Sequence, residues 1–115
     1  MDTVATQRVA ERRAGLTDMA ASLTERLNGI KEASAWTSHD DEHDPEGATI
    51  AFERAQVAGL LELVNAELGD LDAAQARIQA GTYGQCERCT QPIGAGRLEA
   101  LPGARICVRC ADRRR

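Results

Sequence analysis

From Val57 onward the apolar residues step along the chain as Val57, Leu61, Val64, Leu68 and Leu71, with Ile78 one heptad later. Alternating intervals of four and three place these side chains along one seam of an α-helix. A looser series precedes it: Val9, Leu16, Ala20, Leu23, Leu27 and Ile30. One helix cannot bury such a stripe alone, and the short polar connector makes pairing within the chain the natural solution. The pattern therefore predicts a mainly α fold, a long antiparallel coiled-coil hairpin with helices over about residues 3–36 and 45–80. Each arm would extend about 45–50 Å at 1.5 Å per residue. Intermolecular pairing of the same seams is the competing use of the pattern.

The ends of the second helix are marked. Asp44 offers an N-cap acceptor, Pro45 suits the first helical position, and Glu46 faces the positive end of the helix dipole. Gly81 is the predicted stop, because glycine takes the left-handed conformation that closes helices. Gly15, Gly29, Gly59 and Gly69 interrupt the arms, each costing about 1 kcal/mol relative to alanine. Trp36 and Phe52 flank the connector and are expected to pack across the hairpin near its tip.

The chain has 115 residues and only three aromatics, Trp36, Phe52 and Tyr83, which favours a thin helical architecture over a thick globular core. Its net charge of −4 hides a split. Residues 1–82 hold 15 acids and 7 bases, and residues 83–115 hold 3 acids and 7 bases. An acidic body argues against general duplex DNA binding through the helices, and no aromatic interleaving favours base stacking. No apolar run approaches membrane-spanning length and no charged-then-apolar leader opens the sequence, so the expectation is a cytoplasmic protein without membrane association.

All four cysteines lie in the last quarter. Cys86 and Cys89 form one C-x2-C pair, Cys107 and Cys110 the other, with seventeen residues between. That is the spacing of a structural zinc site, in which each turn aims two thiolates at one ion. Two disulfides are the alternative, disfavoured in a reducing cytosol. One structural Zn2+ held by all four thiolates is expected, with no open coordination position for catalysis. Nothing else suggests an enzyme: no nucleophile–base pair or phosphate-binding loop is recognisable. Arg88, Arg97, Arg105, Arg109 and Arg113 to Arg115 give this segment a basic rim. Arg97 reads as a packing or sulfur-facing residue. The domain boundary falls between a hairpin over 1–82, with its tip at 37–47, and a zinc-finger module with a short basic tail over 83–115.

The connector HDDEHDPEG, residues 39–47, concentrates five carboxylates and two histidines without a basic side chain. Asp44 and Glu46 are accounted for as helix-start residues. Asp40, Asp41 and Glu42 are not, because they follow the negative end of the first helix, where acids are unfavourable unless something positive meets them. His39 and His43 invite a second metal site, but a flexible turn with mixed hard and soft ligands rarely holds one.

The segment YGQCERCTQPIGAGRLEALPGARICVRC resembles the C4-type zinc finger of the DksA/TraR transcription factors. The resemblance rests on Cys86, Cys89, Ile93, Arg97, Pro102, Cys107 and Cys110, with the Tyr83-Gly84 lead-in and the run Arg97-Leu98-Glu99-Ala100. It covers 83–110 tightly and 1–82 in outline. It implies a non-enzymatic regulator of bacterial RNA polymerase that inserts its hairpin into the secondary channel, with acidic tip residues near the active centre. Such a protein alters promoter-complex stability without reading promoter sequence, and is expected to act as a monomer. The tip residues so implied are Asp40, Asp41 and Asp44; Asp41 and Asp44 have the three-residue separation of the family's paired aspartates. The family's alarmone-binding members carry basic residues where this chain has Leu101 and Ala111, so weak dependence on guanosine tetraphosphate is expected. The alternative is a zinc-ribbon adaptor whose coiled coil binds another protein or a second copy.

Overall fold

The computed structural model describes residues 3–35 and 45–113. Four helices follow in order: α1 (Thr3–Ala35), α2 (Pro45–Ala80), α3 (Ala95–Ala100) and α4 (Val108–Arg113). The only strand-like pairing among the described residues is an isolated antiparallel bridge between Gln85 and Pro92. No helix among them is long and apolar enough to cross a membrane.

The chain divides into two compact units. One comprises Met1–Leu16 with Ala66–Arg115, the other Thr17–Asn65. In each unit α1 and α2 run antiparallel, and an ion pair marks the register. Arg12 Nε meets Glu67 Oε2 at 2.6 Å in the first, and Arg26 Nη2 stands 3.6 Å from Glu53 Oε1 in the second. Advancing fourteen residues on α1 from Arg12 to Arg26 retreats fourteen on α2 from Glu67 to Glu53, two whole heptads on each helix.

The heptad seam is the buried line of the helices. Val57, Val64 and Leu71, each one heptad apart, are buried, and Ile50, Leu61, Leu68 and Ile78 are half-buried. On α1, Val9 and Leu16 are buried while Ala20, Leu23, Leu27 and Ile30 are half-buried. Val9 and Leu71 reach 0% exposure, and complete burial of such a side chain is worth about 1.5–3 kcal/mol. Ala5 and Ala74 complete the buried line. Alanine carries little hydrophobic signal, so the heptad pattern did not single them out.

Phe52 does not pack across the hairpin as its position near the connector suggested: it is 71% exposed. It stands two residues after the seam position Ile50, about 200° round the helix at 100° per residue, and so points away from the pairing face. Trp36, His39 and His43, and the tip residues Asp40, Asp41 and Asp44, lie outside the described residues.

Candidate metal centre

The end of α2 delivers the chain into the cysteine cluster through a defined cap. The Gly81 N–H donates to the Ile78 carbonyl at 3.2 Å and the Thr82 N–H to the Arg77 carbonyl at 2.9 Å. This pair of bonds is a Schellman closure, and Gly81 takes the positive φ of 79° that it requires.

A tight hairpin turn then presents the first two thiols. The Cys86 N–H donates to the Gln91 carbonyl at 2.8 Å, the Thr90 N–H to the Cys86 carbonyl at 3.0 Å, and the Ile93 N–H to the Gly84 carbonyl at 2.8 Å. Thr90 adopts a left-handed φ of 64° to close this turn, a conformation uncommon outside glycine and asparagine. The second pair is set by α4. The Ala111 N–H donates to the Cys107 carbonyl at 3.0 Å, so Cys107 sits at the helix entry and Cys110 follows three residues later on the same side. Two bonds join the halves: the Glu87 N–H to the Arg105 carbonyl at 2.9 Å, and the Cys107 N–H to Cys86 Sγ at 3.3 Å.

The four Sγ atoms all lie within 4.8 Å of one another, with Cys89 and Cys107 at 3.7 Å. Tetrahedral zinc with Zn–S bonds of about 2.3 Å requires sulfur–sulfur separations of about 3.8 Å. None of the four is disulfide-bonded. Cys86, Cys107 and Cys110 are buried, as is Ile93, and Cys89, Leu98, Ala104 and Ile106 pack around them. The donor set and its spacing fit one structural zinc ion.

The thiols differ in acidity before any metal binds. Burial opposes ionisation of Cys86, but the backbone N–H groups of Cys89, Cys107 and Arg88 together outweigh it and bring the thiol down to about 6. Cys107 is lowered chiefly by the backbone N–H of Cys110. Cys110 is pushed up to about 12 by burial and by the neighbouring thiols. A cation entering the cluster meets a ready thiolate at Cys86 and must displace the proton of Cys110.

The loop between the cysteine pairs is seated on α2 within the same compact unit. Arg77, with a side chain 12% exposed, reaches Glu87 Oε1 through Nη1 at 3.5 Å and donates from Nη2 to the Ala104 carbonyl at 3.3 Å. Gly103 approaches so closely that a Cβ there would stand 3.2 Å from Asp70 Cβ and 3.4 Å from Leu71 Cδ2. Arg105 Nε lies 3.2 Å from Asp70 Oδ1, and the Tyr83 hydroxyl donates to the Pro102 carbonyl at 2.8 Å. Arg97 Nε donates to the Ile106 carbonyl at 2.9 Å, so Arg97 is a packing residue that steadies the backbone entering Cys107. Neither Arg77 nor Gly103 belongs to a periodic pattern in the sequence. The Pro102-Gly103 turn dipeptide was the available signal for the latter. Beside this loop a cleft of about 460 Å³ is lined by Glu67, Asp70, Arg97, Arg105, Leu101 and Ala111, among others.

Residues 81–115 match the model of the prokaryotic dksA/traR C4-type zinc finger. The fold as a whole is similar to that of the transcription factor DksA2 from Pseudomonas aeruginosa, with a TM-score of 0.53 and 25% identity, over 94% of this chain and 83% of that one. The C-terminal module is a finger of the dksA/traR C4 type. Among curated relatives, General stress protein 16O of Bacillus subtilis is 34% identical over 91 residues, which is 79% of this chain and 56% of that protein. The RNA polymerase-binding transcription factor DksA of Caulobacter vibrioides is 41% identical over 46 residues, 40% of this chain and 32% of that protein. The chain spans between about a third and just over half the length of these curated relatives.

Proposed function

We propose that this chain is a non-enzymatic transcription regulator that binds RNA polymerase as a cytoplasmic monomer through the secondary channel. The hairpin over 1–82 is the inserting element and the module over 83–115 its base. Cys86, Cys89, Cys107 and Cys110 are the ligands of one structural zinc ion. Asp40, Asp41 and Asp44 form the acidic tip that approaches the active centre, where a catalytic Mg2+ would supply the positive charge these acids otherwise lack. The regulator alters the stability of promoter complexes and reads no DNA sequence.

The observation that carries this reading is the union of two features in one chain. A finger of this family is joined to an antiparallel helix pair, and α1 and α2 are linked by the chain's densest run of carboxylates. Four thiolates closing the coordination sphere of zinc leave it a scaffold, not a reaction centre. The cleft bears on regulation. Leu101 and Ala111, which stand where alarmone-binding members have basic residues, both line it, and Glu67 and Asp70 add carboxylates to its wall. These carboxylates repel a polyphosphate while Arg97 and Arg105 in the same lining offset part of that charge, so the dependence on guanosine tetraphosphate is weak.

In vitro transcription on several promoters tests the reading, alongside capture of purified core polymerase. The wild-type protein should bind core and change promoter output to nearly the same extent with and without the alarmone. The Asp41→Asn/Asp44→Asn variant should bind and fold but lose the transcriptional effect. Unchanged transcription by that variant, or no affinity for core, would overturn the mechanism.

A further inference from the structure

The four thiols that fit zinc come from two separate pieces of backbone. Cys86 and Cys89 lie on the turn that follows α2, and Cys107 and Cys110 lie at and within the start of α4. An ion leaves such a site when one pair swings away from the other, so whatever fixes their spacing beforehand lengthens its stay. Inside the module the pieces are joined by the Glu87 N–H to the Arg105 carbonyl at 2.9 Å and by the Cys107 N–H to Cys86 Sγ at 3.3 Å. A third joint comes from outside the module, from the last turn of α2. Arg77 Nη1 lies 3.5 Å from Oε1 of Glu87, which stands between the first two cysteines. Its Nη2 donates at 3.3 Å to the carbonyl of Ala104, which leads into Cys107 and packs against the buried cysteines.

The burial of Arg77 needs a reason. Its side chain is 12% exposed, and its Nε has no hydrogen-bond partner among the described residues. Keeping a cation out of water with one donor unmet is unfavourable, and an apolar side chain would fill the same space more cheaply. What an apolar side chain cannot do is bridge two acceptors, which a planar guanidinium does with its forked donors. The other contacts between the loop and α2 lack this property. Arg105 with Asp70, and Gly103 against Asp70 and Leu71, each tie α2 to the second piece alone.

We propose that Arg77 is a positioning residue for the metal: through this one side chain, α2 holds the two cysteine pairs at the spacing zinc needs and slows its release. By linkage, zinc in turn steadies the end of α2 by the same factor, because it fixes both groups that Arg77 holds. The inference rests on the metal centre and does not depend on which partner the hairpin engages.

Transfer of zinc from the loaded full chain to an excess of a metallochromic chelator tests this, with helicity followed in parallel by circular dichroism. Arg77→Met should speed release about tenfold, the lower end of what outer-shell partners of a metal contribute, with helicity unchanged. Arg77→Lys should release zinc about as fast, because it keeps the charge and loses the fork. Glu87→Ala removes one of the two grips and should speed release about threefold, the scale of a partly exposed ion pair. Added to Arg77→Met, it should bring no further change. Arg12→Ala breaks an ion pair of the same helix that touches neither cysteine piece, and should leave the rate as it is. Wild-type release from either Arg77 variant, or Arg12→Ala releasing zinc as fast as Arg77→Met, would overturn the proposal. Should Arg77→Met lose its helicity, the Glu87→Ala rate decides, and unchanged release there overturns the proposal as well.

Discussion

The two compact units are built from the same pair of helices but held by different means. In Thr17–Asn65 the seam is the main support: Val57 and Val64 are its buried hydrophobics, and Arg26–Glu53 at 3.6 Å is its described ion pair. In the other unit the seam residues Val9, Leu16 and Leu71 are joined by the cysteine cluster and by a loop fastened to α2 at Asp70, Leu71 and Arg77. A second layer with a metal cluster gives a fixed base. The unit of Met1–Leu16 with Ala66–Arg115 therefore has two supports, and the unit Thr17–Asn65 has one.

The sharpest way to break that contrast is to remove the metal. Cys110→Ser, or chelation, should unfold the finger, since zinc binding in such modules contributes about 10–16 kcal/mol that is also folding energy. Metal content should fall to zero, and amide protection should collapse over 82–113 while helical signal from 17–65 persists. Equal loss in both units would mean the contrast is false.

Core truncation sharpens the comparison next. Leu71→Ala, at a fully buried site contacted by the finger loop, should cost about 2–5 kcal/mol. Val57→Ala removes two methyl groups from a seam-only site and should cost about 2 kcal/mol. Denaturant melts monitored by helicity will compare them.

Acidity gives a third handle. Because Cys86 is lowered to about 6 from its ordinary value, its contribution to the metal-free finger is complete above the unfolded thiol's range and is lost as pH falls toward 6. Cys107, also lowered, acts in the same direction. Cys110, raised to about 12, favours the folded form while protonated, so its contribution is lost only as pH rises toward 12. Between about pH 6 and 9 zinc should therefore hold the finger folded more strongly as pH rises. Zinc uptake near neutrality should release protons, with Cys110 a principal source. Titration calorimetry in two buffers of different ionisation enthalpy measures that release; none would contradict thiolate ligation. The 17–65 unit has no cysteine and should show no such dependence.

The smallest effect is expected at the surface. Arg12→Ala breaks a two-pronged pair with Glu67, yet both side chains are partly exposed. The cost should stay within about 1 kcal/mol and shrink with salt, read from melts at two ionic strengths.

Much of this was legible in the amino-acid order because the relevant periods are short. The seam from Val57 to Ile78 repeats within two turns, and each C-x2-C pair is a local turn, so the helix pair and the cysteine cluster could be read directly. The stop at Gly81 was likewise local. What could not be read depends on distant pairings or on side chains with weak signals. Arg77 meets a carbonyl twenty-seven residues later at Ala104, and Gly103 meets Asp70; neither contact has a period. Ala74 is too small to mark a core position, and Phe52 is large enough to suggest one although its angular position turns it outward.

The most direct test of the central claim is where the tip goes. A photo-cross-linking residue at position 41 of the otherwise intact chain, bound to core polymerase, should attach to segments bordering the active centre, and excess unlabelled protein should suppress the adduct. Cross-links confined to the enzyme's outer surface, or none at concentrations where binding is saturated, would contradict it.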